Sequence, residues 1–128
     1  MSWKRLTIVA AFGVVVIVIT LWACSNSLLR PETDIRASLL KETPIGSSSA
    51  EVAKLLKQKG WIDRNYLGTS GFLKQEPGKQ AQVIGATSLA GHLGQYHLRF
   101  RTDVTAFWGF DTNNRLIDIW VWKTTDSP

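Results

Sequence analysis

Residues 104–123 read VTAFWGFDTNNRLIDIWVWK. Two runs rich in β-branched and aromatic side chains flank Asp111-Thr112-Asn113-Asn114, a cluster of turn formers, and this is the pattern of a β-hairpin rather than a helix. The spacing predicts a three-residue loop, a type I turn closed by a left-handed residue, with Asn114 in the position that otherwise takes glycine. Phe110 then faces Leu116. That register pairs Phe107 with Ile119, Gly109 with Ile117, Thr105 with Val121, Trp108 with Asp118 and Ala106 with Trp120.

The same character extends back to Ala81, predicting strands over 82–89, 95–101, 104–111 and 115–123 in an antiparallel meander. Gly91 and Gly94, on either side of His92, suggest a bend between the first two strands. With Thr102-Asp103 as a two-residue connection, one face carries Tyr96, Leu98, Phe100, Phe107, Ile117, Ile119 and Val121. The other carries His97, Arg99, Arg101, Trp108, Phe110, Asp118, Trp120 and Trp122. Burying Arg99 and Arg101 without partners would be costly, so the aliphatic face is expected to receive the helices. Arg99, Arg101, Trp108, Trp120 and Trp122 then form a candidate partner-binding face, since indoles and guanidinium groups are enriched at protein interfaces. The competing expectation is that the tether or the 63–80 segment folds over the indoles, or that arginines merely stack on them.

Two helices precede the sheet. Pro31-Glu32-Thr33-Asp34 opens the first, Ile35, Leu39 and Leu40 supply its apolar stripe, and Pro44 ends it by disfavouring the helical region at Thr43. Ser48-Ser49-Ala50-Glu51 has capping-box spacing for the second, whose stripe is Val52, Leu55 and Leu56. Lys54, Lys57 and Lys59 make a solvated face, Gly60 is the natural stop, and Trp61 packs back onto Leu56. The 63–80 segment, with Gly68, Gly71, Pro77 and Gly78 and no clear period, reads as an irregular loop that is either a binding loop or a plain connection.

Ahead of all this stands MSWKR followed by 19 uncharged residues, Leu6 to Cys24. As a helix the run spans about 28 Å, close to the ~30 Å hydrocarbon thickness of a bilayer. Lys4 and Arg5 place its start in the cytoplasm by the positive-inside rule, so the remainder faces outward. Leu21-Trp22-Ala23-Cys24 resembles a bacterial lipobox, in which the Cys is lipidated and becomes the new N-terminus. Trp22 is instead what an uncleaved transmembrane helix places at its end. The membrane attachment is therefore either this span or a lipid on Cys24. The chain divides into 1–24, a signal peptide or anchor, 25–33, a tether, and 34–128, a small α+β domain with two short helices on one face of a three- or four-stranded antiparallel meander.

Composition narrows the chemistry. A single Cys and two His leave no CxxC redox motif, Cys-cluster zinc site or HExxH helix, and no Gly-rich phosphate cradle occurs, so no metal or cofactor is expected. His97 and Asp118 could form half of an acid–base dyad, but no Ser or Cys nucleophile has a place beside them. From Ser25 onward 13 Lys+Arg stand against 10 Asp+Glu, and this net +3 on an outward-facing domain is a weak footprint for nucleic acid; no small-molecule substrate is indicated. The expectation is a non-enzymatic, membrane-tethered protein of the bacterial cell envelope, with its domain on the periplasmic or extracytoplasmic side of the inner or the outer membrane, that binds another protein. The alternative is an inhibitor or immunity-type module acting through the 63–80 segment.

Pro44-Ile45-Gly46-Ser47 through Glu51-Val52 is similar to the Gly-x-[Ser/Thr]-x-x-x-Val helix start of the SmpA/OmlA family, and Trp108-Gly109-Phe110-Asp111 to Leu116 is similar to its Phe-Asp-x-x-Gly-x-Leu hairpin. That family is the small lipoprotein of the outer-membrane β-barrel assembly machinery, and it shares its outline with the β-lactamase inhibitor protein repeat. Lys59-Gly60-Trp61 stands where the family has Leu-Gly-x-Pro. The resemblance covers 34–123 in outline and implies two helices on an antiparallel sheet, no cofactor, and a partner in outer-membrane assembly or maintenance.

Mass spectrometry of the mature N-terminus separates the two fates of the apolar run. A chain beginning at a diacylglyceryl Cys24 is the lipoprotein; a chain retaining residues 1–23 is the uncleaved anchor.

Overall fold

The computed structural model describes residues 27–126, apart from the side chains of Ser27 and of residues 63–67. The apolar run Leu6–Cys24 and the lipidation candidate Cys24 lie outside the described residues. No helix among the described residues is long and apolar enough to cross a membrane.

Two helices lie against antiparallel sheets in an α+β arrangement. α1 (Glu32–Glu42) begins after Pro31, carries Glu32 and Asp34 in its first turn, and stops at Thr43 because Pro44 follows. α2 (Ser49–Lys59) starts on a complete capping box: Ser48 Oγ accepts from the Glu51 amide (3.2 Å) and Glu51 Oε2 accepts from the Ser48 amide (3.3 Å). Gly60 ends it in the left-handed conformation, and the Trp61 amide returns to the Leu56 carbonyl.

The sheet contains β1 (Ile62–Gly68), β4 (Thr87–His97), β5 (Arg101–Phe110) and β6 (Leu116–Thr125), in the order β1-β4-β5-β6, so β6 is an edge. β2 (Phe72–Lys74) and β3 (Gln82–Ile84) form a separate two-stranded hairpin. The 63–80 segment expected as a loop thus supplies two short strands. The expected 82–89 strand is divided at Gly85-Ala86, where the chain leaves the hairpin and enters the sheet. Gly91 and Gly94 do not separate strands either, because β4 runs through them with a bulge between His92 and Gly94. The β4–β5 connection is Leu98-Arg99-Phe100 rather than Thr102-Asp103, and Tyr96 pairs with Thr102 and His97 with Arg101.

The turn between β5 and β6 has the expected chemistry. Asn114 is the left-handed residue (φ 59), and Asp111 Oδ1 accepts from the amides of Asn113 and Arg115. Phe110 pairs with Leu116, but the next pair is Gly109 with Asp118, so Ile117 is an extra residue bulged out of the ladder. Every later pair moves by one: Trp108 opposes Ile119, Phe107 opposes Trp120, Ala106 opposes Val121 and Thr105 opposes Trp122.

The slip corrects the composition of both faces. Trp108 and Phe110, expected among the exposed aromatics, are fully buried with Val104, Ala106, Leu116, Ile119 and Val121 beneath Ile35, Leu39, Val52 and Leu56 of the helices. Phe107 and Ile117, expected to touch the helices, point elsewhere, and Leu98 and Phe100 stand in the exposed turn. The buried Trp108 indole donates to Thr43 Oγ1 (3.2 Å), which itself donates to the Leu39 carbonyl (2.8 Å), so the last turn of α1 satisfies the one polar atom that the indole carries into the core.

Trp108→Ala is expected to cost about 3–5 kcal/mol in urea unfolding, as for other large core truncations, and Thr43→Val about 1–3 kcal/mol because it strands the indole N–H. Trp122→Ala, on the open face, should cost about 1 kcal/mol or less.

Candidate functional site

Across the sheet from the helices, alternation collects Ser88, Ala90 and His92 of β4, Arg101, Asp103, Thr105, Phe107 and Gly109 of β5, and Asp118, Trp120 and Trp122 of β6. The β2–β3 hairpin folds over one half of this face. Its buried Phe72 sits against Gly109, where a Cβ would lie 2.9 Å from the ring; only a residue without a side chain leaves room for it. From Phe72 the aromatic rings continue as a ladder: Phe72–Phe107 at 5.9 Å between centroids, Phe72–Trp120 at 6.2 Å, Phe107–Trp120 at 5.6 Å and Trp120–Trp122 at 5.7 Å with planes 11° apart. The ladder starts buried and ends in solvent, since Trp120 is half-buried and Trp122 is 47% exposed.

A depression of about 500 Å³ opens on the ladder, floored by Phe107, Trp120 and Ala90 and walled by Phe72, Leu73 and Gln75 of the hairpin side. Beyond Trp120 a second groove of about 680 Å³ follows the free edge of β6, between the first turn of α1 and the 75–79 turn of the hairpin. The hairpin's position is set by charge as well as by Phe72. Asp118 accepts from Arg36 Nη2 (2.6 Å) and lies 3.6 Å from Lys74 Nζ, while Glu76 meets Lys79 (2.9 Å) and Lys74 (3.3 Å). Hydrogen bonds from Lys79 and then Lys74 hold the Glu76 carboxyl below its ordinary value. Pro77-Gly78 makes the tip, with Gly78 at φ 75 and the Lys79 amide returned to the Glu76 carbonyl (3.1 Å).

The expected binding residues are dispersed by this geometry. Trp120 and Trp122 stand together on the open face, opposite Ile119 and Val121. Trp108 is on the other side of the sheet, and Arg99 is in the β4–β5 turn. Arg101 shares the open face but is engaged with Asp103 (3.1 Å), which also receives His92 Nε2 (3.1 Å) and whose carboxyl is lowered by the His92 and Arg101 hydrogen bonds. His97 pairs with Arg101 at one end of β5 and Asp118 with Gly109 at the other, eight residues or roughly 26 Å apart, so they form no dyad. His92 and His97 fall on one face because of the β4 bulge, four β5 positions or roughly 13 Å apart. Among the described residues no group of three or more His, Cys, Asp or Glu is placed to hold a metal ion.

Phe72, Phe107 and Gln75 belong to the site and were not expected there. The usable signal for Phe72 was the pair of runs Phe72-Leu73-Lys74 and Gln82-Val83-Ile84 around Pro77-Gly78, a hairpin pattern with a longer loop. In comparisons with known proteins, no family model, no curated protein and no solved structure gives a significant match to this chain.

The Glu76 cluster gives the hairpin a pH dependence. A carboxyl whose folded-state value lies below its unfolded one stabilises fully above the ordinary value of 4.5 and loses that contribution as pH falls through the lower folded value. Tryptophan quenching by acrylamide should therefore hold steady from neutral pH down to that range and rise below it as the hairpin loosens over Trp120. Glu76→Gln should show part of the rise already at neutral pH.

Proposed function

We propose that the chain is a non-enzymatic, membrane-tethered protein of the bacterial cell envelope whose aromatic ladder receives a protein partner. The observation that carries this reading is the ladder itself: four stacked rings that leave the core at Phe72 and end at a half-exposed Trp122 beside an apolar depression. Buried-to-exposed indole clusters of this kind suit a partner that brings an apolar or aromatic side chain into a pocket rimmed by polar groups, the arrangement that concentrates binding energy in few residues. The residues assigned to partner contact are Trp120, Trp122, Phe107 and Phe72, with Arg101 on the rim.

The 19-residue uncharged run is what supports the tether, through either the span Leu6 to Cys24 or a lipid on Cys24, and the preceding Lys4 and Arg5 support the outward orientation of the domain. The similarity of the helix start and the hairpin to the SmpA/OmlA family supports outer-membrane assembly or maintenance as the partner's setting. The inhibitor or immunity reading has less behind it, because the segment it needs as a free loop carries β1 and β2 and is fastened through Phe72 and Lys74.

Pull-down from solubilised membranes with the full chain and with a Trp120→Ala/Trp122→Ala variant tests the reading. Partner recovery should fall at least about tenfold while the thermal midpoint shifts by only a few degrees. An unchanged partner set contradicts it.

A further inference from the structure

We infer that the end of the domain bearing the β4–β5 turn is seated on an anionic lipid surface. The inference rests on the tethered reading above and adds the face and the ligand chemistry. The chain enters the fold at this end. Leu28 packs so closely over β4 that a Cβ on Gly94 would come within 2.8 Å of it, and Lys123 Nζ donates to the Arg30 carbonyl (2.6 Å). α1 then runs away from this end, reaching Trp108 through Thr43, and the following turn bonds Leu116 at the far end of β6.

Two residues, Ser25 and Asn26, separate Ser27 from Cys24, so the three Cα steps reach at most about 11 Å even when fully extended. A domain of about 100 residues has a radius of gyration near 13 Å, so a tether this short holds its entry end against the bilayer and cannot let it swing free. The surface so placed has the chemistry of a membrane contact. Leu98 is 78% exposed at the tip, Leu29 is 43% exposed beside the entry point and Phe100 is 36% exposed. Arg99 stands between Leu98 and Phe100 with no hydrogen-bond or ion-pair partner among the described residues, whereas Arg101 is engaged with Asp103. Leu98 lies four residues, or roughly 13 Å, beyond Gly94 along the strand, so the tip projects past the entry point toward the lipid. Apolar side chains enter the boundary between headgroups and acyl chains, and a guanidinium among them pairs with lipid phosphate.

The test uses the full chain reconstituted into vesicles of equal parts phosphatidylglycerol and phosphatidylcholine, with nitrobenzoxadiazole attached at Leu98→Cys or, at the opposite end, at Ile45→Cys. The parent chain supplies the background from Cys24. Quenching by aqueous iodide should be at least about threefold weaker at position 98 than at 45, and Arg99→Gln should weaken the seating about fivefold, the effect of one basic residue at an anionic surface. Position 98 quenched as readily as 45, in a chain that floats with the vesicles, overturns this inference alone. Equal shielding in phosphatidylcholine by itself overturns the anionic assignment. A chain that does not float with vesicles of either kind overturns the tethered reading, and the inference with it.

Discussion

Leu116 and Ile119 both bury their side chains under the helices, and both direct backbone groups to the same free edge of β6. Leu116 exchanges hydrogen bonds with Gly46 and Ser47 of the interhelical turn (2.8 Å each), and the Ile119 carbonyl accepts from Arg36 Nε (2.8 Å). In a regular strand, residues three apart point to opposite faces and opposite edges. One extra residue between them is therefore obligatory, and Ile117 is that residue. Asp118 secures the far side of the bulge: one carboxylate oxygen accepts from its neighbour Ile119's amide (2.8 Å) and from Arg36. The helices thus impose the irregularity on the strand, and the strand passes it across the sheet to β5.

The consequences are opposite on the two faces. On the helix side the shift brings Trp108 over Ile119 and under α1, where Thr43 accepts its only polar hydrogen; a large indole becomes the centre of the core instead of part of the surface. On the other side it sets Phe107 against Trp120, and Phe72 of the hairpin completes the stack. Asp118 serves both faces, because the same carboxylate that braces the bulge toward α1 lies near Lys74 at the base of the hairpin. Packing of the helices and placement of the aromatic ladder are for this reason one structural event, and a change at Ile117 or Asp118 would be felt in both.

Much of this architecture is legible from residues in local contact. The capping box at Ser48 and Glu51, the stop at Gly60, the proline boundary at Pro44 and the Asn114 turn depend on neighbours within a few positions, and each occurs where local chemistry puts it. Trp120 and Trp122 also lie opposite Ile119 and Val121, because strict alternation governs the strand beyond the bulge. The bulge is a different matter. It is set by Arg36, Gly46 and Ser47, some seventy to eighty residues away in sequence, and nothing within Asp111–Asp118 announces it. One residue of slip was enough to exchange Phe107 for Trp108. The β2–β3 hairpin was obscure for a related reason: three-residue strands carry too few side chains to display a period, and their pairing is stabilised by Phe72 reaching the sheet rather than by their own composition. The glycines of the long β4 strand resemble a turn, whereas in the fold Gly91 leaves room for Leu56 and Trp108, and Gly94 stands at the bulge beneath Leu28.

A half-covered aromatic face, joined by a very short connection to a candidate membrane anchor, is the combination on which the functional reading rests, and the face exists only in the slipped register. Since the Ile119 amide and carbonyl go to Asp118 and Arg36 rather than to β5, Trp108 and Ile119 form a non-hydrogen-bonded pair, in which Cα atoms approach to about 4.5 Å and α-protons come closest. Cross-strand nuclear Overhauser effects between α-protons are the most direct measurement. Strong contacts for Trp108 with Ile119 and for Ala106 with Val121 are the expected result. Contacts for Trp108 with Asp118 and for Ala106 with Trp120 would mean that the strand pairs without the Ile117 bulge, and would contradict both the core and the face built on it.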